Sequence, residues 1–349
     1  MDLTPRENAL IAYRHGVPEW VPFSFADFNS IQALPEMERY IGTTQGKDYF
    51  GVEWTYVPGI GAPMPTPGKI LLEDITEWRD VVHVPDVEAI DWEKQADIDL
   101  HMDARAILAG KGVVRRADGL SNLAEGKLPY CMVINGMFER LHACMGMQNA
   151  LCALMTEPDE CKAFFHAIAD YKIAYFNKIA KYYPVDVINA HDDYGTGDRL
   201  FMRPELWREL IKPELKRIVD SVHANGLIYQ HHSCGYVEPL IEDFIEIGID
   251  AVDTWQGASN PNVKELKQKY GSQITFCGGF DNVHILDREG TTEDEMRAEY
   301  IRVINDLAPG GSYIAFPISA MPRYAMVFLQ MHQSDGLHFY ENLKKQQKQ

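Results

Sequence analysis

The sequence predicts a single (β/α)8 barrel with N-terminal additions, spanning residues 1–349. Three observations carry this. Short β-branched runs alternate with helix-period segments through the second half of the chain. The length of 349 residues exceeds the roughly 250 typical of such barrels. No glycine-rich dinucleotide fingerprint or P-loop is present to favour a doubly wound sheet.

In chain order, residues 21–25 (Val-Pro-Phe-Ser-Phe) form the first expected strand and residues 51–56 a weaker one. Residues 58–67, dense in proline and glycine, read as a long loop or lid. A strand follows at 130–135, and then five more at 185–190, 227–230, 249–254, 273–276 and 312–316. The helices between them have legible ends: Pro204 in a first turn, Asn225-Gly226 as a stop, Gly248 closing 237–247 and Gly271 closing 262–270.

Composition narrows the function. With 33 basic and 51 acidic side chains the net charge is -18, which argues against a phosphate backbone as partner. Residues 73–99 hold ten acidic side chains against Arg79 and Lys94 and read as a solvated face. No apolar run reaches the ~20 residues of a membrane span. The first residues lack a basic stretch followed by an apolar core, so a cytoplasmic location is expected. The six cysteines form no C-x-x-C pair, which suits free thiols or metal ligands.

In a barrel the loops after the strands build the active site, and the chemically loaded residues fall there. They are His191-Asp192-Asp193-Tyr194, His231-His232-Ser233-Cys234-Gly235, Trp255-Gln256 and Cys277-Gly278-Gly279-Phe280-Asp281. His232 and Cys234, two residues apart at a strand end, point to one side and can share a cation such as zinc. Cys277 is on the same expected rim and is the first choice for a third ligand, with Asp193, Asp281 and His231 as further nitrogen or oxygen donors.

The run from Asp192 to Asp281, with Asp-Asp-Tyr-Gly-Thr-Gly, Arg203-Pro204-Glu205-Leu206-Trp207, Lys212-Pro213, His232-Ser233-Cys234-Gly235 and Gly278-Gly279-Phe280-Asp281, resembles the uroporphyrinogen decarboxylase superfamily. Weaker likeness runs from Glu7-Asn8-Ala9-Leu10 to Gly310-Gly311. The resemblance implies a (β/α)8 barrel and either tetrapyrrole decarboxylation or zinc-dependent methyl transfer with corrinoids. No Arg or Lys stands between Arg14 and Arg39, where the decarboxylases hold propionates, so the methyltransferase branch is favoured. The His-x-Cys zinc motif of that branch maps onto His232 and Cys234. The last ligand cysteine of the thiol-activating members is missing, since the chain reads Phe316-Pro317-Ile318-Ser319-Ala320 at that place.

What the resemblance implies is therefore an O-demethylase component that moves a methyl group from a small methylated substrate, most simply an aromatic methyl ether, to the Co(I) corrinoid of a separate carrier protein. Zinc would act as Lewis acid. The chain carries no corrinoid-binding sequence of its own. Asp193 and His231 are the expected proton donors to the leaving oxygen, with Asn135 and Glu139 secondary candidates. Phe23, Phe25, Phe28, Phe138, Trp255 and Phe316 are candidates for an aromatic slot, and Asp192, Tyr194, Gln256 and Asp281 for further substrate contacts. The alternatives are a decarboxylase, a methylcobalamin:thiol methyltransferase and a non-catalytic barrel that binds a corrinoid protein; a homodimer is compatible with any of these.

Overall fold

In the computed structural model, which describes residues 2–103, 115–319 and 323–347, seven parallel strands form one curled sheet. Their order is β1 (Phe28–Ile31), β5 (Leu128–Val133), β6 (Val187–His191), β7 (Ile228–His232), β8 (Ala251–Asp253), β9 (Thr275–Cys277) and β10 (Tyr313–Ile314). A parallel bridge between Phe23 and Ala315 joins the chain just before β1 to the chain just after β10. This completes the (β/α)8 architecture. The remaining strands, β2 (Gln45–Lys47), β3 (Glu53–Val57) and β4 (Ala62–Pro65), make a separate antiparallel sheet.

Strand side chains alternate between the barrel interior and the helix layer. Leu128, Val187, Ala251, Cys277, Ile314 and Phe316 form the interior cluster, closed from below by Ala9, Ala12 and Tyr13 of helix α1 (Pro5–Tyr13). Helix α1 is well started, with Pro5 in its first turn and a reciprocal Thr4–Glu7 capping box. The opposite parity, including Ile188, Tyr229, Val252 and Phe276, packs outward against the helices. No described helix is long and apolar enough to cross a membrane.

Three expectations need correction. Residues 51–56 are not a barrel strand: 53–57 pair antiparallel with β2 and β4. Residues 58–67 are not an open lid either, because 62–65 form β4 and the preceding residues its turn. Of the strand expected at 21–25, Phe23 alone makes a bridge; Ser24–Asp27 is a helical turn, and β1 follows it. Asp27 fixes that turn by accepting hydrogen bonds from Phe23 N at 2.9 Å and Trp20 Nε1 at 3.2 Å. The strand β1 was unmarked because its four residues, Phe-Asn-Ser-Ile, include two polar ones; Asn29 bonds the backbone of Ala124 in both directions.

A buried ionic network ties the excursion between β1 and β5 to the barrel. Arg140, fully buried, donates to Asp48 at 2.6 Å and to Glu38 at 2.9 Å. Glu38 also accepts from Lys172 at 2.7 Å and from the Tyr171 hydroxyl at 2.8 Å. Its four charges are compensated within the cluster, which is the condition for burying them. The network sets residues 38–48 and β3 beside the mouth.

Candidate metal centre at the barrel mouth

His232 ends β7 with its ring in the interior, and Cys234 follows two residues later on the same side. Cys234 Sγ stands 3.4 Å from His232 Nε2. From the loop after β6, Asp193 Oδ1 accepts from Cys234 N at 2.6 Å and lies 3.8 Å from His232 Nε2. The ligand atoms of Asp193, His232 and Cys234 all fall within 4.8 Å of one another. One imidazole, one thiol and one carboxylate is a donor set suited to zinc, and three protein ligands leave a tetrahedral ion one position for substrate or water.

The supporting residues fix this geometry. Register pairs His191 with His232 and His232 with Asp253. Fully buried Asp253 receives His232 Nδ1 at 2.9 Å and Asn189 Nδ2 at 2.9 Å. Holding a proton on Nδ1 leaves the Nε2 lone pair facing Cys234 and Asp193. The His191 ring stacks on His232 at 3.8 Å. Ser233 Oγ accepts from Tyr194 N at 2.9 Å, and Gln256 Oε1 from Gly235 N at 2.6 Å. Gly235 has φ +78 and its α-carbon abuts Gly195, where an added methyl would stand 2.3 Å from the carbonyl oxygen. A side chain at either glycine would part the two loops that carry the ligands.

The electrostatics follow from burial and neighbours. Burial opposes a charge on His232, but Asp253 and Cys234 outweigh it and raise the imidazole pKa. Burial, and then Asp193, raise the Cys234 thiol, partly offset by His232. Glu139, in the first turn of helix Met137–Met145, is raised by burial and by Asp193 against the pull of Arg39, His142 and His232. Its carboxyl is thus within electrostatic reach of the centre.

The other expected site residues divide by strand parity and by local bonding. Cys277 does not join the centre: it is buried in the interior cluster with its thiol 3.7 Å from Gln230 Oε1. His231 points the opposite way from His232, into the helix layer between Tyr194, Tyr229 and Phe244. Burial drives its pKa down to about 3, and neither ring nitrogen has a partner. It cannot reach the mouth as a proton donor.

Tyr194 and Trp255 also lie in the outer layer, Trp255 stacked on Phe276 at 5.0 Å. Asp192 caps helix Met137–Met145, accepting from Phe138 N and Glu139 N at 3.1 and 2.8 Å and from the Tyr194 hydroxyl at 2.9 Å. Burial and Glu139 push its carboxyl up to about 7 despite those donors. Asp281 likewise serves its own loop, accepting from His284 N at 2.8 Å. Phe23 packs against Phe25, Tyr300 and His332; Phe25 is exposed and leans on Tyr324; Phe138 meets His142 and Phe201. Of the expected aromatic slot, Phe28 and Phe316 face the interior, joined by Tyr130 with ring centroids 5.8 and 5.9 Å away. Ala320 lies outside the described residues.

Sequence reasoning placed His191 on the mouth without a role and missed Asp253, Tyr130 and Arg39. Interior parity applied along each predicted strand marks Asp253 and Tyr130. Arg39 sits in an irregular segment with no periodic signal.

Residues 80–317 match the family described as uroporphyrinogen decarboxylase (URO-D). A methylated-thiol–coenzyme M methyltransferase of Methanosarcina mazei is 22% identical over 186 residues, 52% of this chain and 46% of that protein. The chain thus matches about half the length of that curated relative. A solved methyltransferase from Methanosarcina mazei superposes with a TM-score of 0.62 at 14% identity, over 95% of this chain and 99% of the other. At that identity the likeness concerns the fold.

Proposed function

The chain belongs to the uroporphyrinogen decarboxylase family, and from that premise we propose that it is a methyltransferase. It takes a methyl group from a small methylated substrate, by our reading an aromatic methyl ether, and passes it to the reduced corrinoid of a separate carrier protein. The observation that carries this reading is the Asp193–His232–Cys234 cluster at the mouth, oriented by Asp253. The methyltransferase names of the two relatives support it.

We assign Asp193, His232 and Cys234 as zinc ligands. Zinc held by these three side chains would supply Lewis acidity toward a methyl-bearing heteroatom. Asp253 keeps the His232 proton on Nδ1, so Nε2 stays free to coordinate. Glu139, held toward its neutral form beside the cluster, is the group we assign to protonate the leaving oxygen. Phe28, Tyr130 and Phe316 line the interior with ring edges and faces suited to an aromatic substrate. A second reading has a thiol rather than a phenol on the other side of the methyl group, and the name of the Methanosarcina relative favours it.

The test is methyl transfer by the purified, zinc-loaded chain to a reduced corrinoid carrier, read by absorbance, with methoxyarenes, methylamines and methylated thiols as donors. Methylation of the corrinoid from a methoxyarene is the expected result. Methylation from a methylated thiol alone moves the assignment to the second reading, and none from any donor refutes both.

A further inference from the structure

Beside the centre stands a guanidinium bonded to no carboxylate of the described residues. The adjacent cation Arg140 is saturated, with Asp48 at 2.6 Å and Glu38 at 2.9 Å. Arg39 has no carboxylate partner among the described residues. Its Nη2 donates to the neutral side chain of Asn135 at 3.2 Å, and its Nε is buried and donates to nothing. The guanidinium rests on the face of Trp54, 4.9 Å from the ring centroid. Trp54 is itself fixed through Nε1 to Asp48 at 2.9 Å. Asn135 is held too: it sits at φ 57 and donates to Glu38 O.

Arg39 is thus held from two sides while remaining half-buried, open to solvent at one edge. Its bond to Asn135, two residues past the end of β5, places it at the mouth end of the barrel, where Glu139 and Asp193 both act on its charge. None of the neighbouring carboxylates is bonded to it, although Glu139, Asp193 and Glu38 all favour its charge from a distance. Glu38 is spent on Arg140, Lys172 and Tyr171, and Asp193 faces the Cys234 amide. An arginine kept rigid, partly desolvated and with its fork bonded to no carboxylate suits a planar anion brought by a ligand.

We propose that Arg39 anchors a carboxylate on the methyl donor, so that the substrate class is an anionic, carboxylated methyl compound rather than a neutral ether. This rests on the methyl-transfer reading for the word donor, but the anion site itself can be tested without methyl transfer. Benzoate and benzamide, which carry no methyl group to transfer, are titrated calorimetrically into the full-length protein and into Arg39→Gln and Arg39→Lys. Benzoate should bind wild type more tightly than benzamide. Arg39→Gln should weaken benzoate roughly 10-fold or more and leave benzamide unchanged. Arg39→Lys, which keeps the charge without the fork, should fall between and serves alone if the glutamine variant does not fold.

Equal binding of benzoate and benzamide by wild type, no binding of benzoate, or benzoate affinity unchanged in both variants overturns the proposal. Arg39-dependent benzoate binding together with no methyl transfer from any methoxyarene upholds the anion site and counts against the function instead.

Discussion

Asp253→Asn tests the support of the metal centre at the point where it is most exposed to failure. Asp253 is fully buried, with one oxygen 2.9 Å from His232 Nδ1 and the other 2.9 Å from Asn189 Nδ2. Asparagine has the same shape, and the Asn189 amide can turn its oxygen toward the new amide donor, so the fold should survive at a cost of about 1 kcal/mol. What changes is the hold on the imidazole. If the new carbonyl faces His232, the bond to Nδ1–H loses its charge and about half its strength. If the amide nitrogen faces it, Nδ1 must accept, the proton moves to Nε2 and the coordinating lone pair is lost. Second-shell changes of this kind cost roughly 10–100-fold in metal affinity, or about 1.4–2.7 kcal/mol. Zinc affinity is measured by competition with a chromophoric chelator on the metal-free protein at neutral pH. A loss in that range is expected; wild-type affinity in a variant that unfolds like wild type would refute the role given to Asp253.

Other perturbations separate ligands from bystanders and structure from chemistry. Cys234→Ser should lose bound zinc by elemental analysis, while Cys277→Ser, whose thiol faces Gln230, should retain it; the reverse pattern would return Cys277 to the ligand set. Arg140→Met leaves Asp48 buried without a cation and Glu38 with Lys172 alone, and should cost roughly 3–5 kcal/mol in denaturant unfolding; a cost below about 1 kcal/mol would show the network to be dispensable. Burial raises Asp27 from 3.8 to about 6. The folded state therefore holds a proton that the unfolded chain releases, and stability from this group is lost as pH rises through about 6. Both donors reach the same oxygen of Asp27, so Asp27→Asn can keep both bonds. Its stability relative to wild type should climb between about pH 4 and 7, by up to roughly 3 kcal/mol; a flat difference would contradict the raised carboxyl.

The barrel was legible where strands alternate with helices, from 185 onward, because buried parallel strands read as continuous apolar runs with glycine stops. It was not legible at β1, where half the residues are polar and the pairing is set by Asn29 and by the turn that Asp27 caps. The same rule of alternation that joined His232 to Cys234 also sends His231 outward, and would have removed it from the candidates. Asp192 and Asp193 are adjacent and of one residue type, yet one caps a helix and the other accepts from the Cys234 amide beside His232. Only the path of the following loop separates them. Arg39 gains its meaning from partners on β3 and after β5, contacts that no local pattern records.

The central claim is that three side chains, one at the end of β7 and one from each of the loops after β6 and β7, hold a metal that enables methyl transfer. The most direct measurement combines zinc stoichiometry with corrinoid methylation in wild type and His232→Ala. The account predicts about one zinc per wild-type chain, and in the variant loss of zinc together with loss of methylation from the best donor. Zinc retained in His232→Ala, or methylation continuing at the wild-type rate without zinc, would contradict it.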